Sequence, residues 1–213
     1  MSKIKAICLD LDGVLLDAKD LHKDALNRAL SFNKSEPISE EEHLTIFDGL
    51  PTKKKLEMLE SMGRIHKRDF EFINKLKQDL TSNLVMKKCQ PIAEHLVLLS
   101  TLKVEGYALG LCSNSIRATV DAAMEVSCLG KFFDFTLSNE DVSKAKPNPE
   151  IYNIAIAKLG LKPEEVLIVE DNKNGIEAAR ASGAHVLEVT DGVFQVTLDF
   201  VKNKIKEIEN ESN

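Results

Sequence analysis

AICLDLDGVLLD, residues 6–17, decides how this chain is read. An apolar run from Ala6 to Leu9 ends at Asp10, and a second carboxylate, Asp12, follows two positions later. Gly13, three more apolar residues and a third carboxylate, Asp17, complete the stretch. Closely spaced like charges repel, so a core-like strand that ends in them calls for something positive to offset them.

Other runs share the design. IKAICL (4–9) ends at Asp10, YALGLC (107–112) at Ser113-Asn114 and VLIVE (166–170) at Asp171-Asn172. FFDFTL (132–137) leads into a polar loop that ends at Lys146-Pro147, and AHVLEV (184–189) reads as a last strand. Helical patterns separate them over 92–106, 117–126, 148–160, 172–183 and 195–210. Short apolar runs alternating with longer helical patterns predict buried parallel strands in βαβ units, an α/β fold. Residues 18 to about 86 differ: KDLHKDALNRALSF, TKKKLEMLESMG and KRDFEFINKLKQDLTSNLV are amphipathic helical stretches. They predict a helical insert after the first strand, with the chain returning to the sheet after Pro91. The expected division is a core of residues 1–15 and 88–213 and an insert of residues 16–87.

The chain has 213 residues, which suits one domain with a modest insertion. Its formal charge of -6 argues against a nucleic-acid protein, which needs a basic face. No apolar run approaches the roughly 20 residues that span a bilayer. The N-terminal MSKIKAICLDLDG does not resemble a signal peptide. The expectation is a cytoplasmic protein without a membrane partner. A monomer is expected because no long exposed apolar stretch stands out. Cys8, Cys89, Cys112 and Cys128 form no C-x-x-C pair, which argues against zinc and for reduced thiols.

Ligands of an open parallel sheet bind outside the carboxyl ends of its strands. Asp10, Ser113, Lys146 and Asp171 all follow strand-like runs, so folding can gather them from four distant places. Mg²⁺ suits hard oxygen ligands and keeps several waters. Asp10 and Asp171 are the expected carboxylate ligands, Asp12 adds its backbone carbonyl, and Glu170 holds a metal-bound water. In extended chain, alternate residues such as Asp10 and Asp12 share a face. That spacing suits phosphoryl transfer, with Asp10 as nucleophile forming an aspartyl phosphate and Asp12 as acid and base. Gly13 lets the backbone approach the phosphate, and Ser113 and Asn114 offer it a hydroxyl and an amide beside a helix start. Lys146 supplies the fixed positive charge that a dianionic substrate and a carboxylate nucleophile need. Asp17 reads as a residue approaching or capping the next helix.

Taken together, these residues resemble the haloacid dehalogenase superfamily of phosphotransferases. DLDGV (10–14) is similar to its first motif, LCSNS to the second at Ser113, KPNP to the third at Lys146, and VEDNKNGIEAARASG to the acidic fourth at Glu170-Asp171. All four stand in order, over essentially the whole chain. The insert resembles the helical cap of the β-phosphoglucomutase and phosphoglycolate phosphatase branch. That resemblance implies a Rossmann-like parallel sheet core and a small all-helical cap that closes over substrate. It also implies that His22 faces the active site and that Gly49 lies in a substrate-reading cap loop. The mutases carry an Arg three residues after that Gly, where this chain has Thr52. The expected activity is a Mg²⁺-dependent phosphatase acting on a small phosphorylated metabolite, a sugar phosphate or phosphoglycolate-like acid. A phosphosugar mutase, a catalytically silent binding module and a dehalogenase are the alternatives.

Overall fold

The apolar runs become strands because each can bury both of its faces. The computed structural model describes residues 4–47 and 50–211. β1 (Ala6–Leu9) leads into α1 (Lys19–Phe32), the short helical turn α2 (Glu40–Glu42), α3 (Thr52–Ser61), α4 (Phe70–Lys88) and α5 (Ala93–Val104). Then come β2 (Ala108–Cys112), α6 (Arg117–Ser127), β3 (Phe135–Leu137), α7 (Glu150–Leu159), β4 (Val166–Glu170), α8 (Lys173–Ala181), β5 (His185–Glu188) and α9 (Leu198–Glu211). Among the described residues the strands form one five-stranded parallel sheet of order β3-β2-β1-β4-β5. This is a Rossmann-like α/β fold. None of the described helices is long and apolar enough to cross a membrane.

The chain divides into two compact units, Met1–Asp17 with Cys89–Asn213, and Ala18–Lys88. In the first, β1 is central, with Leu9 in register with Leu111 on one side and Val169 on the other. Alternation along the strands sorts the core into two layers. Ala6, Cys8, Val166 and Ile168 pack with Ile151, Tyr152 and Ala155 of α7 and Ala178 and Ala179 of α8. Ile7, Leu9, Leu109, Leu111, Leu167 and Val169 are equally buried and alternate to the opposite face. The described cysteines are all free thiols; Cys8, Cys89 and Cys112 are buried and Cys128 is exposed.

The helical unit has its own core. Leu26, Ala29 and Leu30 of α1 pack with Ile38, Phe47, Leu56, Leu59, Ile65 and Ile73. The loop after α1 is pinned by Asn27, whose Oδ1 accepts from the Ile38 N–H at 2.8 Å while Nδ2 donates to the Ile38 carbonyl at 2.9 Å. Arg64 adds a strap, donating to Glu42 Oε1 and to the Pro37 carbonyl, each at 2.7 Å. Ser39 and Glu42 form a capping box that starts α2.

Three boundaries differ from the sequence reading for local reasons. Gly130–Phe132 closes a tight 3-10 turn, so β3 begins only at Phe135. Asn148 Oδ1 accepts from the Glu150 N–H, which starts α7 after Pro149 rather than at Asn148. Gln195 turns its side-chain oxygen back to the N–H groups of Thr190 and Asp191, so α9 starts at Leu198.

His95 of α5 is fully buried, and its Nε2–H donates to the Val193 carbonyl at 2.9 Å. Burial pushes its pKa below the usual imidazole value, outweighing the opposing pull of the Val193 and Leu15 carbonyls and of Glu94. The unfolded imidazole therefore binds a proton more readily than the folded one. The stability at stake is intact above the unfolded pKa of about 6.5 and is lost as pH falls below it. Urea midpoints measured from neutral to mildly acidic pH will fall through this window, and a His95→Gln variant will show a shallower fall.

Candidate active site

In a sheet of order β3-β2-β1-β4-β5 the chain winds outward from β1 in one direction and then in the other. The crevice between β1 and β4 is thus the switch point at which parallel sheets bind ligands. Asp10 follows β1 and Asp171 follows β4, with the Asp10 N–H donating to the Val169 carbonyl at 3.0 Å. The turn after Asp10 is tight: the Leu15 and Leu16 N–H groups both donate to the Leu11 carbonyl, and the Gly13 N–H donates to the Leu16 carbonyl.

Lys146 is the hub. Its Nζ donates to Asp10 Oδ1 at 2.7 Å, to the Cys112 carbonyl at 2.8 Å and to Glu170 Oε1 at 2.6 Å. Those three bonds use all the donors an ammonium has. Only 3% of Lys146 is exposed and 1% of Glu170. Burial works to lower the Lys146 pKa, but the Asp10 and Glu170 carboxylates outweigh it and hold the ammonium above the ordinary lysine value. Burial, then the charge of Glu170, push the Asp10 carboxyl well above its usual range, with Lys146 pulling against them. Tyr152 supports the pair from α7. Its hydroxyl donates to Glu170 Oε1 at 2.6 Å, and Lys146 Nζ lies 4.8 Å from its ring centroid. Glu170 Oε2 accepts from the Asp171 N–H at 3.1 Å and the Asn172 N–H at 3.4 Å, so both of its oxygens are occupied. A Cβ at Gly175 would fall 2.0 Å from Glu170 Oε1, so only glycine lets α8 pass this close.

The Lys146 loop is clamped by Asn114. Asn114 Oδ1 accepts from the Lys146 N–H at 3.1 Å, and Nδ2 donates to the Lys146 carbonyl at 3.4 Å. The Lys146–Pro147 peptide bond is cis. Ser113, at the end of β2, accepts the Ser115 N–H at 3.0 Å, which leaves the hydroxyl its own hydrogen to donate. Ser115 in turn donates from Oγ to Asp12 Oδ2 at 3.0 Å.

Among the described residues, Asp10, Glu170 and Asp171 can each turn an oxygen to within 4.8 Å of the others. Gly13 has φ +85°, and a Cβ there would lie 2.1 Å from Asp171 Oδ2. The Asp12–Gly13 backbone and the Asp171 carboxylate therefore meet in a cradle that any larger residue would fill. The donors are all hard oxygens, several carboxylates set around the ammonium of Lys146. That chemistry fits a divalent cation.

The structure thus brings Asp10, Asp12, Gly13, Ser113, Asn114, Lys146, Glu170 and Asp171 to one end of the sheet. His22 belongs to the helical unit, where its Nδ1 lies 3.2 Å from Nζ of Lys77, a lysine only 6% exposed. Gly49 lies outside the described residues. Asp17 is exposed and does not cap α1, whose N-cap is Ala18. Sequence reasoning missed Tyr152 and Ser115. Tyr152 reads as one more apolar position of α7. Ser115 carried a usable signal, a second hydroxyl two positions beyond Ser113 at a strand end.

Comparison with known proteins identifies the family. Residues 7–189 match the family model of the haloacid dehalogenase-like hydrolases. A phosphorylated carbohydrates phosphatase of Thermotoga maritima is 30% identical over 187 residues, covering 84% of this chain and 82% of the relative. A phosphoglycolate phosphatase of Photorhabdus laumondii is 27% identical over 195 residues, covering 89% of this chain and 81% of the relative. The crystal structure of an HAD hydrolase, family IA, variant 3, from Entamoeba histolytica superposes with a TM-score of 0.82 at 21% identity, covering 95% of this chain and all of that one (100%). The chain belongs to the haloacid dehalogenase-like hydrolases, as a phosphatase of that family.

Proposed function

We propose that the protein is a Mg²⁺-dependent phosphatase of small phosphorylated metabolites, sugar phosphates or phosphoglycolate-like acids, working through a phosphorylated Asp10. The observation that carries this reading is the buried Lys146 held between Asp10 and Glu170 beside Asp171. The similarity to phosphatases of phosphorylated carbohydrates and of phosphoglycolate supports the substrate class.

In this reading Asp10 attacks phosphorus and the ester P–O bond breaks. Asp12 gives its proton to the leaving alcohol. Water then attacks the phosphorus of the aspartyl phosphate, Asp12 takes the water proton, and the acyl P–O bond breaks to release phosphate and restore the Asp10 carboxylate. Lys146 orients Asp10 and offsets charge on the transferring group. Ser113 donates to a phosphate oxygen, Asn114 holds the lysine loop, and Gly13 keeps the backbone low enough for the phosphate to approach. Asp10, Asp171 and the Asp12 carbonyl would hold Mg²⁺, with Glu170 fixing Lys146 and the Asp171 backbone. The ion, when bound, neutralises phosphate charge and so lets one anion attack another. The helical unit is read as the cap, with His22 and Gly49 as its substrate-reading residues, as the family resemblance implies. Thr52, standing where the mutases carry an Arg, favours hydrolysis over mutase chemistry.

An aryl phosphate assayed with Mg²⁺ will be hydrolysed by the wild type, while Asp10→Asn will lose roughly a thousandfold or more in kcat. Equal activity in both ends the aspartyl-phosphate reading. Conversion of β-glucose 1-phosphate to glucose 6-phosphate without free phosphate turns it to the mutase. Mg²⁺ will raise the melting temperature of the wild type and leave that of Asp171→Asn unmoved, a readout independent of turnover. In chelator, Lys146→Met will strand two buried carboxylates beside each other. Urea denaturation will register a loss of about 3–5 kcal/mol.

A further inference from the structure

We infer that Ser115 is a positioning residue for proton transfer: its hydroxyl fixes which oxygen of Asp12 exchanges the proton with the leaving alcohol. The inference rests on the reading of Asp12 as acid and base.

Ser115 is anchored on both sides. Its N–H donates to Ser113 Oγ at 3.0 Å, and its carbonyl accepts from the Asn139 N–H at 3.0 Å. Ser113 is itself tied to the next strand, its N–H donating to the Leu137 carbonyl at 2.9 Å. The backbone at Ser115 is thus locked to the ends of β2 and β3. From this fixed base the hydroxyl reaches Asp12 Oδ2 at 3.0 Å, across 103 positions of sequence. Asp12 sits in the tight turn after β1. A hydrogen bond on Oδ2, in whichever direction the proton lies, assigns the exchange with substrate to Oδ1. Proton transfer falls off steeply with misorientation, so a bond from a rigid neighbour has a kinetic consequence out of proportion to its strength.

The test separates orientation of an acid from general support of the fold. A good leaving group departs without a proton, and a poor one needs it. The readout is kcat/KM, which covers only the steps up to alcohol release, across aryl phosphates from p-nitrophenyl to phenyl and p-methoxyphenyl phosphate. Ser115→Ala will lose little on p-nitrophenyl phosphate and roughly tenfold or more on the poorest leaving group. The dependence on leaving-group pKa therefore steepens. Ser115→Thr, which keeps the hydroxyl, will hold the wild-type slope. A uniform loss across the series in Ser115→Ala, or an unchanged slope, overturns the inference. Asp12→Asn is the control. If it steepens the slope and Ser115→Ala does not, only the role of Ser115 fails. If Asp12→Asn leaves the slope unchanged, the acid–base reading fails and takes the inference with it.

Discussion

One buried ammonium ties the functional end of this protein together. Lys146 Nζ bonds Asp10 after β1, the Cys112 carbonyl at the end of β2 and Glu170 at the end of β4. A single side chain thus joins three neighbouring strand ends to the loop that follows β3. The arrangement is costly, because a charge taken out of water must recover its solvation from its partners. Lys146 does so by using every donor it has on two carboxylates and a carbonyl. Tyr152, Gly175 and the N–H groups at the start of α8 then hold Glu170 where that ammonium needs it.

The same electrostatics explains why the cluster is a reactive place and not merely a structural one. Among the described residues, Asp10, Asp12, Glu170 and Asp171 gather around the ammonium of Lys146. Glu170 is engaged by Lys146, Tyr152 and two backbone donors, and Asp10 shares the same ammonium, while Asp12 and Asp171 add further carboxylates beside them. These stand around the Gly13 turn, where a side chain larger than hydrogen would collide with Asp171. An all-oxygen site with excess negative charge invites a hard divalent cation, and a divalent cation invites a phosphate.

The helical unit obeys a different logic. Its core is assembled from α1, α3, α4 and the segment around Ile38, and a half-buried lysine–histidine pair links α1 and α4. The chain can interrupt its sheet after the first strand because the inserted residues satisfy their own apolar surface and their own loop hydrogen bonds. A segment with its own core can diversify its side chains without disturbing Lys146 and its partners.

Much was legible in the sequence because it is written locally. Four- and five-residue apolar runs between helical patterns imply buried parallel strands, and polar residues at the ends of such runs imply a site at the carboxyl edge. Asp10, Lys146 and Asp171 therefore stand out as candidates in the sequence itself. Strand order is not local, since it depends on which faces of α7 and α8 complement which strands. Nor are the partners of a side chain. Asn114 read as a phosphate amide and is occupied in clamping the Lys146 backbone. Tyr152 read as a core residue, yet its hydroxyl lies on Glu170. Ser115 meets Asp12 only after the ends of β1 and β2 come side by side. Periodicity and spacing determined the elements and the identity of the charged groups; only tertiary structure decided which group holds which. Hydrogen bonds between residues a hundred positions apart leave no pattern in a single sequence.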